Sequence, residues 1–276
     1  MGAHLPVGEE IAAFQFPAEL EPAIDGDLSD WELVPPRYRL SASQFTDLVA
    51  DAAEDPDDFA LWAALGWCSS TNRLYVAAEV RDDVHQVDRP DGTAASLIWQ
   101  DDDMEIMVDA DHSGGQYARF DDLPQAEALA RNGAAASHFL LAGPHRDGDF
   151  FVNLSAAAWY ALPAGPHTAA AVAHSGGTTR YEVSLTPFDE VNMVADFLSV
   201  PHAMAEGETL GLNLEFRDFD ANSEVWEAVW SLSGGQNAFF LSERFADVRL
   251  ASLEEPFLPT SVRSRAWGQI KASFGE

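Results

Sequence analysis

The chain has 276 residues, of which 15 are Lys or Arg and 46 are Asp or Glu, for a formal net charge of −31. Such a surface repels phosphate backbones and anionic membranes, which excludes nucleic acid and leaves cations, metal ions and neutral ligands such as sugars. A hydrophobic content of 47% with 11% aromatics excludes global disorder, no apolar run approaches the roughly 20 residues of a membrane helix, and the single cysteine, Cys68, excludes an intrachain disulfide.

In chain order, residues 1–21 read as an irregular lead-in containing Pro6 and Pro17. They carry neither a basic start nor an apolar stretch, so no signal peptide is expected; the chain reads as cytoplasmic or as a mature form whose leader was removed. Residues 22–252 read as one domain, and 253–276 as a tail opened by Glu255-Pro256 and Pro259. Within the domain the dominant signal is period-two alternation, the mark of half-buried strands. Leu74, Val76, Ala78 and Val80 share one face of a strand, as do Met104, Ile106 and Val108, then Tyr181, Val183 and Leu185. In 210–217, four apolar residues alternate with Gly211, Asn213, Glu215 and Arg217. Further strands are expected at 60–67, 137–142, 149–154, 226–232 and 245–250. Ser-Gly-Gly triplets at 113–115, 175–177 and 233–235 punctuate them as turns. Short helices fit 44–53, 124–131 and 189–198. The expected fold is all-β, an antiparallel β-sandwich, jelly-roll-like, with a few short helices.

No phosphate-binding loop, zinc-protease helix or nucleophile elbow is present, and the eight histidines form no ligand spacing. Three local features remain. In Trp99-Gln100-Asp101-Asp102-Asp103-Met104-Glu105, a strand extended back to Trp99 puts Trp99 and Glu105 on one face, opposite Met104. An indole stacks on the apolar surface of a pyranose and a carboxylate accepts from its hydroxyls, so the pair suits a sugar; a core Trp beside a solvated strand end is the plainer reading. Oxygen donors at alternate positions of Asp218-Phe219-Asp220-Ala221-Asn222 suit calcium, and 109–115 has a similar look; Asp-rich turns are the plainer reading of both. Trp230 stands out among the aromatics, just before a turn. Met104, Met107, Met193 and Met204 are the residues a haem reading would draw on, though a thioether in a core is commoner than an axial ligand.

The order of segments resembles the family 9 carbohydrate-binding modules, a group allied to the DOMON-like β-sandwiches. The likeness runs through Ala23-Ile24-Asp25-Gly26 with Trp31, then Leu74-Tyr75-Val76 ending at Asp82, then Trp99, Asp102, Glu105, Ile106 and Asp109. It continues through Gly211, Asn213 and Asp218, then Trp230-Ser231, and closes on Phe245-Ala246-Asp247-Val248-Arg249-Leu250. The resemblance implies a sugar end held between two tryptophans, which by motif position are Trp99 and Trp230, with Glu105 fixing hydroxyls. It also implies bound calcium in some members. The chain departs from the pattern in an added stretch near 117–133 and in His138 where the family has an arginine; Arg119 is the candidate substitute.

These readings give a carbohydrate-binding protein with Trp99, Glu105, Trp230, Asp102, Arg119 and His138 at the sugar and Asp218, Asp220 and Asn222 at a calcium ion. The alternatives are an enzyme using Glu105 and Asp102 as acid and base in the same cleft, and a haem-binding redox domain.

Overall fold

The structure, a computed structural model, describes residues 10–258 apart from 54, 91–93, 146–149, 155–156 and 222–224. The calcium candidate Asn222 and the tail from residue 259 onward lie outside the described residues.

The strands, in chain order, begin with β1 (Glu10–Gln15), β2 (Arg39–Ser41), β3 (Thr46–Asp47), β4 (Phe59–Cys68), β5 (Arg73–Asp82) and β6 (Asp103–Asp109). They continue with β7 (Ser137–Ala142), β8 (Phe150–Asn153), β9 (Thr168–Ser175), β10 (Thr178–Leu185), β11 (Phe188–Glu190) and β12 (Val200–Pro201). The last are β13 (Thr209–Asp218), β14 (Ala228–Ser231) and β15 (Ala246–Leu250). One layer runs β8-β7-β6-β13-β15-β1 with β14 beside β13, and the other runs β1-β4-β5-β10-β9 with β2 beside β4. The fold is an all-β sandwich. Of the expected helices, only that at 124–131 forms, as α1 (Gln125–Arg131). Residues 44–53 and 189–198 instead hold short strand pairs and 3-10 turns, their Asp and Asn side chains tied to nearby backbone N–H groups.

The alternation sorts the faces as the sequence reading expected. Leu74, Val76, Ala78 and Val80 meet Met104, Ile106, Val108, Tyr181, Val183, Leu185, Leu210, Leu212, Leu214 and Phe216 between the layers, all buried. Burying each such side chain contributes on the order of 1.5–3 kcal/mol. Ser175-Gly176-Gly177 closes the β9–β10 hairpin with φ of +61° and +71° at its two glycines, the left-handed pair that a two-residue turn requires.

The lead-in expectation needs correction, because part of it is structural. β1 pairs parallel with β15 through Glu10–Ala13 and parallel with β4 through Phe14 and Gln15, so one short strand joins both layers. Ala13 and Phe14 are fully buried, and consecutive residues of a strand point to opposite faces, so β1 serves two clusters: Ala13 the interior, Phe14 the outer face of β4 and β5. That outer face is covered by Phe16, Trp31 and Tyr38. The Ile-Asp-Gly stretch and Trp31 are held there by Glu182 of β10, whose carboxylate accepts from the Asp25 and Gly26 N–H groups and from Trp31 Nε1 at 2.8–3.1 Å. Gly26 has φ of +82°, and a Cβ there would stand 3.0 Å from the Ala173 methyl.

Candidate functional site

The other layer carries the site on its outer face. β6, β7 and β13 are adjacent, and Glu105 sits directly beside Glu215 of β13 and Leu140 of β7 in the ladder. Residues of one parity point outward, so Asp103, Glu105, His138, Glu215 and Arg217 share this face. Trp99 arrives from a 3-10 turn, Ala95–Gln100, rather than from an extension of β6. Its base is fixed by Ile98, fully buried against Leu140 and Ala142. The result is a cavity of about 360 Å³ lined by Trp99, Glu105, Arg119, His138, Arg217 and Trp226, with Asn132 and Phe239 completing its walls.

The floor is an ion-pair network. Glu105 is fully buried; one oxygen lies 2.7 Å from His138 Nε2 and the other accepts from Arg217 Nε at 2.5 Å. Burial pushes the Glu105 carboxyl up, but the Arg217 guanidinium and the His138 imidazole outweigh it and hold the group at about 2. Glu215, beside Glu105 on the neighbouring strand, is pushed up to about 7 by burial and by the Glu105 charge. It is hydrogen-bonded to Asn213 Nδ2 at 2.9 Å and Ser231 Oγ at 3.3 Å. The Arg217 guanidinium and the His138 imidazole therefore hold Glu105 in its charged form. Arg217 also lies over the Trp226 ring at 4.9 Å.

The stretch at 117–133 forms one wall. Tyr117 is fully buried with its hydroxyl donating to the Ala238 carbonyl at 3.0 Å, and the Gly133 N–H donates to the Tyr117 carbonyl at 2.7 Å. Ala118 and Arg119 follow on the cavity side.

Trp99, Glu105, Arg119 and His138 are thus brought together, while Trp230 is not. In the ladder Trp230 pairs with Phe216, which pairs with Met104, and both belong to the interior face. Trp230 is 5% exposed and stacks on Phe59 at 5.6 Å with 11° between planes, so it is a core residue. Trp226, 40% exposed and in the loop before β14, lines the cavity instead. The two pocket indoles stand edge to face at 6.0 Å and 63°. A sugar between parallel rings needs about 7–8 Å, two van der Waals contacts of 3.5–4.0 Å, so the rings form a corner rather than a clamp. Arg217 belonged to the polar alternation of its strand, but only the β6–β13 pairing reveals what it faces. Trp226 is the first residue of the strand expected at 226–232, but that strand begins at Ala228 and leaves Trp226 in the loop before it.

Asp102 also departs from the expected grouping. It lies at the end of the sandwich, its oxygens accepting from the Gln86 and Phe219 N–H groups at 2.5 and 3.0 Å. Around it, donor atoms of Asp82, Asp218 and Asp220 stand within 4.8 Å of one another, as do those of Asp58, Asp83 and Asp220 and those of Asp82, His85 and Asp102. Burial and then mutual repulsion push Asp82 and Asp218 up to about 8, and burial takes Asp102 to about 7. Asp220 Oδ1 is buried without a hydrogen-bond partner. The loop at 109–115 is a turn closed by its own aspartates, Asp109 accepting from the Ser113 and Gly114 N–H groups. Met104 and Met204 pack between the layers, and Met107 lies on the opposite face of β6 against Tyr117 and Phe245, so these methionines are divided among separate apolar clusters.

No family model matches the chain, and no curated protein matches it. Among solved structures, it is similar to a family 9 carbohydrate-binding module from Caldicellulosiruptor kristjanssonii in complex with cellotriose, at 15% identity and a TM-score of 0.58 over 91% of this chain and 98% of that one. The same module in complex with glucose gives 15% identity and a TM-score of 0.56, covering 90% and 98%. The chain has the fold of the family 9 carbohydrate-binding modules.

Proposed function

We propose that the protein binds a carbohydrate in the pocket cornered by Trp99 and Trp226. The observation that carries this reading is the corner of two indoles above a buried carboxylate that is kept ionised by Arg217 and His138. Aromatic faces receive the C–H surface of a pyranose, and the Glu105 oxygens, Arg217 and His138 offer fixed acceptors and donors to its hydroxyls. The cavity lies at the small end of the 300–1,000 Å³ range of ligand pockets, which suits a saccharide end rather than the side of a long chain. The ligands of the two similar modules, cellotriose and glucose, support the same class.

Calorimetry with glucose and cellotriose tests this reading. Aromatic contacts contribute about 0.5–1.5 kcal/mol beyond area burial, so Trp99→Ala and Trp226→Ala each weaken binding by several-fold or more. Trp230→Ala instead lowers stability by about 3–5 kcal/mol, as a core cavity does, read in a denaturant melt. Affinities that ignore both pocket tryptophans would remove the proposal.

We further propose that calcium occupies the acidic end. The donors are hard oxygens, as calcium requires, and one of them, Asp220 Oδ1, is buried and unpartnered. Asp218 and Asp220 would hold the ion with Asp82, and its charge would relieve the repulsion among them. The ion would stiffen the end of the sandwich on which β6 and β13 terminate, not touch the sugar.

A further inference from the structure

The charge balance of the pocket, taken together with the saccharide reading on which this inference rests, specifies the kind of sugar. Three basic side chains, Arg119, Arg217 and His138, line the cavity against one carboxylate, Glu105. Glu105 is already shared between Arg217 and His138. Arg119 is in a different state: among the described residues no carboxylate stands within ion-pair distance of its guanidinium, in a chain where acids outnumber bases 46 to 15. It is nonetheless held in place. The guanidinium lies 4.2 Å from the centre of the Phe239 ring and 5.6 Å from that of Phe240. Its backbone has φ of +61°, a left-handed conformation that a non-glycine residue rarely adopts. Its carbonyl accepts from Gln116 Nε2 at 2.7 Å. A guanidinium stacked on aromatic rings keeps its N–H edge free, and that edge matches a carboxylate with two parallel hydrogen bonds.

We infer that the pocket selects a uronic acid at a saccharide end, with Arg119 as the specificity-determining residue that reads its carboxylate. The sugar ring rests on the Trp99–Trp226 corner, its hydroxyls meet Glu105, Arg217 and His138, and its carboxylate meets Arg119. The chain's net charge of −31 sets a limit on the ligand. Charges more than about 8 Å apart are largely screened at physiological salt, so a single terminal carboxylate is admitted by its near neighbours. A long polyanion lying across the acidic surface is repelled along its length.

The experiment is calorimetry on the full chain at neutral pH with glucuronate and glucuronamide, which share a ring and differ in charge, alongside glucose and cellotriose. Glucuronate is expected to bind about tenfold tighter than glucuronamide, the order of one charge-assisted hydrogen bond. In Arg119→Gln the two ligands come within about twofold of each other, and Arg119→Lys restores part of the gap, because a point charge attracts but does not form the fork. Equal or weaker binding of glucuronate, or a preference that survives Arg119→Gln, overturns the inference. Binding of glucose or cellotriose with no response to either glucuronyl compound overturns the uronate inference alone. Silence toward all four sugars overturns the saccharide reading itself. The wild-type comparison needs no variant, so it stands even where a substitution disturbs the fold.

Discussion

In the pocket, a fully buried carboxylate lies between a guanidinium and an imidazole and is held at about 2; at the acidic end, Asp82, Asp102 and Asp218 face one another beside His85 and are pushed up to about 7–8. The two regions lie on neighbouring stretches of the same strands: β6 supplies Glu105 and follows directly on Asp102, and β13 supplies Arg217 and Asp218 in succession. Alternation therefore sends adjacent residues to opposite tasks. A buried charge is tolerated either when the fold supplies its counter-charge or when something from solution does, be it a proton or a metal ion. The pocket is of the first kind and is finished without a cation. The acidic end is of the second kind, its carboxyls pushed toward their protonated form by burial and by one another.

The largest expected effect comes from breaking the internal pairing. Arg217→Met strands Glu105 in the interior and lowers stability by about 3–5 kcal/mol, the range for removing one partner of a buried pair. A denaturant midpoint unmoved by this change would mean that the floor is not the closed network described here. The matching operation at the acidic end has the opposite sign. Asp218→Asn replaces a carboxyl whose charged form burial and its acidic neighbours disfavour, so with EDTA present its melting temperature is at or above that of the unaltered chain. Saturating calcium is the next effect in size: at a hundred times its dissociation constant it stabilises by about 2.7 kcal/mol, and Asp218→Asn loses most of that gain. A melting temperature indifferent to calcium and EDTA would leave the acidic end without its proposed ion.

The smallest effect is a pH dependence confined to the pocket. Glu215 of β13, pushed up to about 7, takes on charge as pH rises from 6 to 8; around it stand Glu105 on β6, His138 on β7, Arg217 on its own strand and the Ser231 hydroxyl on β14. A second negative charge under the floor disfavours an anionic ligand, so glucuronate binding weakens by a few-fold over that interval, about one charge's effect at close range, while glucose binding is nearly flat. Glu105 runs the other way. Its folded value lies below the ordinary carboxylate value, so its contribution to stability is complete above about 4.3 and is lost only as pH falls toward 2. Tryptophan-fluorescence titrations at pH 6, 7 and 8 separate the two sugars.

The faces of the strands were legible in the sequence because period-two alternation is local: Leu74 to Val80 and Leu210 to Phe216 declare their inner side without knowledge of any partner. The site was legible only in part. Trp99 and Glu105 share a motif a few residues long and do line one cavity, but through a 3-10 turn and not the extended strand that the alternation suggested. Trp230 was misread because a tryptophan near a turn resembles a binding residue, while its parity is fixed by pairing with Phe216, a contact that no local pattern encodes. Arg217 needed the β6–β13 register, and Trp226 sits in a loop whose course depends on everything around it. The acidic end was glimpsed through Asp218 and Asp220, but Asp58, Asp82, Asp83 and Asp102 join it from three distant stretches of chain.

The doubly paired strand β1 also shapes how the molecule reaches this state. Arg249 holds Glu10 at 2.6 Å across a sequence separation of 239 residues, and Ala13 shares its strand with the very residues that enter the second layer. The seam between the two layers is thus made by both extremities of the domain together. Since the entropy of closing a loop grows with its length while the reward arrives only at contact, this pairing is expected late in assembly. A chain interrupted before β15 has a seam that nothing earlier in the sequence can fill, and it waits with the edges of β1 and β13 open to whatever strand comes by.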